Sequence, residues 1–312
     1  MSGLREHAAA YLAMRRGPGY KLEGHGRLLM DFISYLEDRG HRTVTIDAAT
    51  TWATAPSGAT RWYRGKRLPV VRCFARYLSA FDPACQVPSP GLLQSSASRP
   101  APYLYSPQEI AALIHAAGTL ASPLHAATHQ ALISLLAVTG LRVGEAVALD
   151  VDDIDLEAGL VTVRGKYDRT RLVPLHASTI AVLRGYRHRC KQLCPVPSAP
   201  SFFLSATGTR PTVSRVDAVF AQLLMHAGIA GRRGRPPKVH DIRHTFAVTA
   251  LIGWYRTGAD VAAQMPLLSR FMGHAGPAST FYYMHAAPEL LGLAAQRLHD
   301  HQQQPRTRRE EP

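Results

Sequence analysis

Leu160-Val-Thr-Val-Arg-Gly-Lys-Tyr-Asp-Arg-Thr-Arg-Leu-Val-Pro-Leu175 alternates apolar and polar residues on both sides of a turn-forming centre. A period of two marks half-buried strands, so this run reads as a β-hairpin with its tip near Gly165–Arg169. Nearly everything around it is patterned as helix. Ser106-Pro107-Gln108-Glu109 has the cap, proline and acidic first turn of a helix start. A Leu- and Ala-rich helix follows from about Pro123 to Val138 and ends at Thr139-Gly140, and a short one covers Val143 to Leu149. The chain beyond the hairpin reads mainly helical. One hairpin inside a helical chain predicts a mainly α fold with a small β-hairpin or sheet.

The first hundred residues are helical too. Leu28, Leu29, Phe32, Ile33 and Leu36 recur at helical spacing, and an amphipathic stretch from about Ala59 to Leu78 aligns Val70, Val71, Phe74, Ala75 and Leu78. From Phe81 to Tyr103 the periodicity stops and five prolines stand among Ser, Gly and Ala, the composition of a semi-extended linker. The expected organisation is a helical domain over 1–82, a Pro-rich linker over 83–103, a second domain over 104–300 and a polar tail over 301–312.

The 312 residues carry 36 Lys+Arg against 22 Asp+Glu, a formal charge of +14, divided equally between residues 1–100 and the rest. A basic excess in both halves predicts that both meet the same polyanion, nucleic acid or an anionic surface. The most apolar run, Ala131 to Val138, is far shorter than the ~20 residues of a spanning helix. The opening MSGLREHAAA lacks a charged-then-apolar signal pattern, and four cysteines in this length fit a reducing compartment. The expected location is cytoplasmic and nucleoid-associated, with no membrane partner.

Chemistry concentrates in the second half. In His240-Asp-Ile-Arg-His244, helical spacing puts His240, Arg243 and His244 on one face. A zinc pair is disfavoured because Arg243 would repel the metal, and Asp241 stands where a zincin-type glutamate would. A phosphate-facing Arg/His pair at a helix N-terminus fits better. Thr139-Gly-Leu-Arg-Val-Gly-Glu145 sets Arg142 just after a helix break, Lys166 lies at the hairpin tip, Met272-Gly-His274 adds a histidine, and Thr280-Phe-Tyr-Tyr-Met-His285 follows.

In the order Arg142, Lys166, His240-x-x-Arg243, His274, Tyr283, this set resembles the tyrosine recombinase, or phage integrase, family. The motifs TGLR-x-x-E, the hairpin GK with R-x-VPL after it, HDIRHTFA, MGH and Y-x-H are each weak, and their ordered conjunction is specific. Tyr167 departs from the glycine common after the hairpin lysine. The stretch between His244 and His274, with Trp254 to Gln264, is somewhat long for the family. Tyr282 adjoins Tyr283; the spacing from His274 and the Met284-His285 that follows favour Tyr283 as nucleophile.

What the resemblance implies is strand cleavage and rejoining of double-stranded DNA through a 3′-phosphotyrosine, in integration, excision or transposition of a mobile element. Tyrosine conserves the bond energy as an ester, so neither a cofactor nor a metal is called for. Arg142 and Arg243 would hold the non-bridging oxygens, His240 would accept the phenol proton, Lys166 would protonate the departing 5′ oxygen, and His274 would bond a phosphate oxygen. Glu145 and Asp241 are candidates for orienting these groups. The working unit would be a homo-oligomer, a tetramer on two DNA sites, joined where needed by other recombinases or accessory proteins. The segment Pro288 to Leu298 reads as an amphipathic helix that docks on its own domain or on a neighbour. Competing readings are a topoisomerase of type IB, which relaxes DNA as a monomer, and a catalytically inactive DNA-binding accessory protein.

Two basic stretches are candidate DNA contacts. Arg61, Arg64, Lys66 and Arg67 are interleaved with Trp62 and Tyr63. Gly231-Arg-Arg-Gly-Arg-Pro-Pro-Lys238 resembles an AT-hook core through Arg233 and Arg235, with Lys238 beside them; the alternative is a basic loop that positions the next helix. His188, Cys190 and Cys194 form only one partial ligand cluster and read as inert.

Overall fold

The computed structural model describes residues 3–20, 22–56, 61–93, 102–165, 170–231, 236–273, 283 and 288–303. The chain divides into two compact units, Met1–Pro100 and Ala101–Pro312.

The first unit holds α1 (Leu4–Arg16), α2 (Glu23–Asp38), α3 (Ile46–Thr54) and α4 (Arg61–Leu78). Its core gathers Tyr11, Leu29, Phe32, Ile33, Leu36, Trp52, Val71, Phe74 and Leu78 from all four helices. Thr45 starts α3 by accepting from Ala48 N, satisfying one of the donors a helix start leaves open. The segment expected to begin a linker folds back here. Cys85, Val87 and Leu93 pack on the core, Gln86 N donates to Val44 O at 2.8 Å, and Arg72 donates to the carbonyls of Pro88 and Ser89. The apolar residues between the prolines are what attach it, and proline content alone hid them. Residues 94–101 lie outside the described set.

The second unit opens with α5 (Pro107–Gly118), closed by a reciprocal cap in which Glu109 N donates to Ser106 Oγ and Ser106 N to Glu109 Oε2. Helix α6 (Pro123–Thr139) is buried on most of its faces and packs against α5, α8 and α10. A short α7 (Val143–Ala148) and a 3₁₀ turn (Val151–Asp153) lead into an antiparallel sheet of β1 (Ile154–Asp155), β2 (Leu160–Arg164) and β3 (Thr170–Pro174), in that order. The hairpin strands are as the alternation predicts; β1 is an addition too short to leave a pattern. Register pairs Ile154 with Val161, Val161 with Val173 and Val163 with Arg171. The hairpin tip, residues 166–169, lies outside the described residues.

Helices α8 (Ala177–Leu193), α9 (Val213–His226), α10 (Val239–Arg256), α11 (Val261–Phe271) and α12 (Pro288–Gln303) complete the unit. The long stretch after His244 is the end of α10, a turn at Gly258 and the start of α11. In this chain α12 lies on its own unit. Leu290 is fully buried with Ala247, Leu251, Met265, Met272 and Tyr283, and Arg256 pairs with Glu289. No helix among the described residues is long and apolar enough to cross a membrane.

Candidate active site

Helix α6 stops at Gly140 with φ +59°, a left-handed conformation that favours glycine. A Cβ there would lie 2.5 Å from Phe246 of α10, so the close approach of the two helices also requires glycine. The turn delivers Arg142 to the N-cap position of α7. Glu145, three residues on, accepts from Arg142 N at 3.1 Å and from Arg142 Nη1 at 2.7 Å. The carboxylate that caps the helix therefore also aims the guanidinium.

Helix α10 presents His240 and Arg243 one turn apart. His240 is exposed, and Arg243 is only 2% exposed. Arg243 Nη1 donates to Gly140 O at 2.6 Å and Nη2 to Met272 O at 2.7 Å, and the guanidinium interacts electrostatically with the Tyr283 phenol. Burial and the neighbouring Arg142 charge pull its pKa down to about 10, against the opposing pull of Tyr283 and Glu145, so it remains a cation at neutral pH. Asp241, fully buried, accepts from Lys238 N at 2.9 Å and so caps the helix that carries both groups. Tyr105 OH donates to Lys238 O, and Tyr105 N to Thr245 Oγ1, bracing the same helix start.

The end of α11 is gripped by three arginines. Arg171 Nε donates to Phe271 O at 2.9 Å, Arg243 Nη2 to Met272 O, and Arg142 Nη1 and Nη2 to Gly273 O at 3.2 Å. Unpaired carbonyls at a helix C-terminus carry partial negative charge, which cations complement. Arg142 and Arg243 thus stand on adjacent carbonyls. Tyr283 is 3% exposed in the core between α10, α11 and α12, its ring 5.4 Å from that of His244, which in turn lies edge-on to His240 at 5.0 Å.

Residues 104–289 match the phage integrase family. The chain belongs to the phage integrase family of tyrosine recombinases. As such it is an enzyme of DNA strand breakage and rejoining. It is 40% identical over 308 residues to y4rB of Sinorhizobium fredii, named for an integrase/recombinase, covering 96% of this chain and 98% of that one. It is 31% identical over 285 residues to the tyrosine recombinase XerC of Mycobacterium tuberculosis, covering 87% and 89%. Among solved structures, the Tn1549 transposon integrase in complex with transposon right end DNA has a TM-score of 0.69 at 18% identity, covering 94% and 99%. The XerH recombinase bound to its difH substrate after cleavage has 0.66 at 19%, covering 88% and 79%. These likenesses extend the tyrosine recombinase fold over both units.

Of the six expected catalytic residues, Arg142, Arg243, His240 and Tyr283 are described; Arg142 and Arg243 hold the successive carbonyls of Gly273 and Met272, and Arg243 interacts with Tyr283. Lys166 and His274 lie outside the described residues, as do Arg233, Arg235 and Tyr282. Two neighbours that sequence reasoning left without a role stand out. His244 supplies the ring against Tyr283, and its signal was its position four residues after His240. Arg171 holds Glu145, and its signal was an arginine at an inward position of β3.

The expected DNA-facing residues of α4 divide. Lys66 is exposed, and Arg64, half-buried, donates to Pro56 O at 3.2 Å. Arg67 departs from the expectation: it is 7% exposed, its guanidinium 3.7 Å from the Trp52 ring centroid and its Nη2 3.3 Å from Asp31 Oδ2. A planar cation over indole is a favourable packing unit, and Arg67 serves the core of the helical unit. Of Arg61, only its place at the start of α4 is described. Lys238 is exposed immediately before α10.

Proposed function

We propose that this enzyme is a site-specific DNA recombinase that uses Tyr283 as its nucleophile. The phenol oxygen attacks the scissile phosphorus, a 3′-phosphotyrosyl bond forms, and the bond to the 5′ oxygen breaks. Attack of a 5′ hydroxyl on that ester reverses the step and rejoins a strand, so no external energy source enters. The observation that carries this reading is the buried Arg243 guanidinium in electrostatic contact with the Tyr283 phenol, with Arg142 on the carbonyl next to the one Arg243 holds. A cation beside the phenol oxygen favours the phenolate that must attack, and two planar forks suit the non-bridging oxygens. His240 accepts the phenol proton, Lys166 protonates the departing 5′ oxygen and His274 bonds a phosphate oxygen.

The substrate is double-stranded DNA, with Arg61, Arg64, Lys66, Lys238 and the Arg233–Arg235 loop as backbone contacts. The site of action is the cytoplasmic nucleoid. The working assembly is a tetramer on two DNA sites, with other recombinases or accessory proteins as further partners. Integration, excision or transposition of a mobile element is the context, supported by the integrase name of y4rB and by the fold shared with a transposon integrase. The test is a DNA substrate nicked beside the cleavage point, which traps the covalent adduct, followed by peptide mapping. The adduct is expected on Tyr283 and should vanish in Tyr283→Phe. An adduct on Tyr282, or one that persists in Tyr283→Phe, overturns the reading.

A further inference from the structure

We propose that Arg171 is a positioning residue for strand cleavage: it binds Glu145 and the end of α11 together and, through Glu145, sets both the orientation and the free charge of Arg142. The inference rests on the active site described above and adds to it a residue outside the expected six.

The first argument is register. Arg171 pairs with Val163 across the hairpin and shares the inward face with Val161, Val163 and Val173, which are all buried. Leu172, the next residue, points outward and is 59% exposed. A slip of one residue would bury Leu172 but expose Val173 together with Arg171, so the register that buries Val173 brings the arginine inward with it. Strand β3 thus carries a cation inward, where it must find partners.

Those partners are the second argument. Arg171 Nη2 lies 2.7 Å from Glu145 Oε2 and Nη1 3.4 Å from Oε1, while Nε donates to Phe271 O. The two side chains are 13% and 11% exposed. The same carboxylate bonds Arg142 through Nη1. One residue of the sheet thus reaches both elements that hold Arg142: its carboxylate partner on α7 and the α11 end whose Gly273 carbonyl it also binds. Space is tight: a Cβ on Gly273 would lie 2.5 Å from Arg171 Nη1, and Gly273 has φ +65°.

Charge balance is the third. Two arginines on one carboxylate leave a net positive charge on the trio, and Arg142, 41% exposed, is the member able to offer it to a phosphate. Without Arg171, the carboxylate would pair with Arg142 alone and cancel the charge meant for the scissile phosphate. The orienting contact at the α11 end would go with it.

The experiment compares full-length wild type, Arg171→Met, Glu145→Gln and the double variant on the nicked substrate, measuring DNA affinity and the single-turnover rate of adduct formation. Arg171→Met should retain DNA affinity and form adduct about 100-fold more slowly, the scale of a small misplacement of a reacting group. In the double variant, removal of the carboxylate frees Arg142, and about tenfold of that loss should return. Wild-type rate in Arg171→Met overturns the proposal, and so does a loss that the second substitution leaves unchanged or deepens, which marks a purely structural arginine. Should Arg171→Met not fold, Arg171→Lys takes its place alone and on the Glu145→Gln background. A lysine ammonium lacks the planar fork that engages both Glu145 oxygens and the Phe271 carbonyl together, so adduct formation should still fall with affinity kept; a wild-type rate again overturns the proposal. Tyr283→Phe in parallel separates the two readings. If it still forms adduct, the nucleophile assignment falls; if it is inert while Arg171→Met is as fast as wild type, only the role of Arg171 falls.

Discussion

The buried Arg243 guanidinium faces the phenol of Tyr283 electrostatically while its two outer nitrogens hold the carbonyls of Gly140 and Met272. One buried guanidinium therefore joins the end of α6, the end of α11 and the nucleophile. Its planar fork makes both carbonyl bonds with its charge beside the phenol, a geometry that a point charge on a flexible stem does not reproduce.

Arg243→Lys should therefore lose both stability and chemistry. At least one buried carbonyl is left without its donor, a cost of about 1–3 kcal/mol, read as a lower denaturation midpoint. Loss of one preorganised donor from a charge-stabilising site lowers rates by about 10²–10³. Adduct formation should fall by that factor. A lysine variant as fast and as stable as wild type would show that the fork is not what matters.

The sequence made the hairpin legible because the sheet buries one face, so a period of two survives in β2 and most of β3. It made α6 and α10 legible through their ends, where Gly140 and the run before His240 break the pattern. The residues of the site were legible as an ordered set of motifs, each too short to stand alone. That Arg171 and Arg67 are buried was not, for one physical reason. Both are buried cations whose partners, Glu145 and Phe271 for one and Asp31 and Trp52 for the other, are distant in the chain. A charge reads as surface until its partner is known. The attachment of Cys85, Val87 and Leu93 was hidden similarly, because three apolar residues among prolines carry no period.

Glu145 predicts a pH dependence. Burial alone would raise its pKa, but hydrogen bonds from Arg171 and from the Arg142 backbone, the Arg171 charge and the Arg142 side-chain bond outweigh this and hold it below its ordinary value of 4.5. A carboxyl with a depressed folded-state pKa contributes stability that is fully present above the unfolded value and lost as pH falls through the folded one. Wild type should therefore lose stability below about pH 4.5 more steeply than Glu145→Gln. Melting temperatures of both proteins between pH 3 and 7 check this; parallel curves would mean that the carboxylate gains nothing from its partners on folding.

Gly140→Ala tests the close approach of α6 and α10. The left-handed conformation costs a non-glycine residue about 1–2 kcal/mol, and the new methyl would meet Phe246 at 2.5 Å. The carbonyl of the same residue receives Arg243, so any shift of the turn moves that arginine. The expected result is a destabilisation of at least about 1 kcal/mol with slower adduct formation. Unchanged melting and rate would mean that the turn relaxes without disturbing Arg243.

Helix α4 supplies a contrast between neighbouring cations. Lys66 is exposed, whereas Arg67 lies on Trp52 and shares Asp31 with the indole N–H, whose Nε1 is 3.0 Å from Asp31 Oδ2. If Lys66 neutralises a DNA phosphate, Lys66→Ala should weaken binding and reduce the slope of log affinity against log salt by about 1, with melting unchanged. Arg67→Ala should instead destabilise the helical unit by about 1–3 kcal/mol, because it removes a desolvated cation–π contact and leaves Asp31 with one donor fewer. Its salt slope should match wild type under conditions where the unit stays folded. The two measurements together decide the matter: a lower slope with unchanged melting in Arg67→Ala would return that residue to the DNA face, and an unchanged slope in Lys66→Ala would remove Lys66 from it.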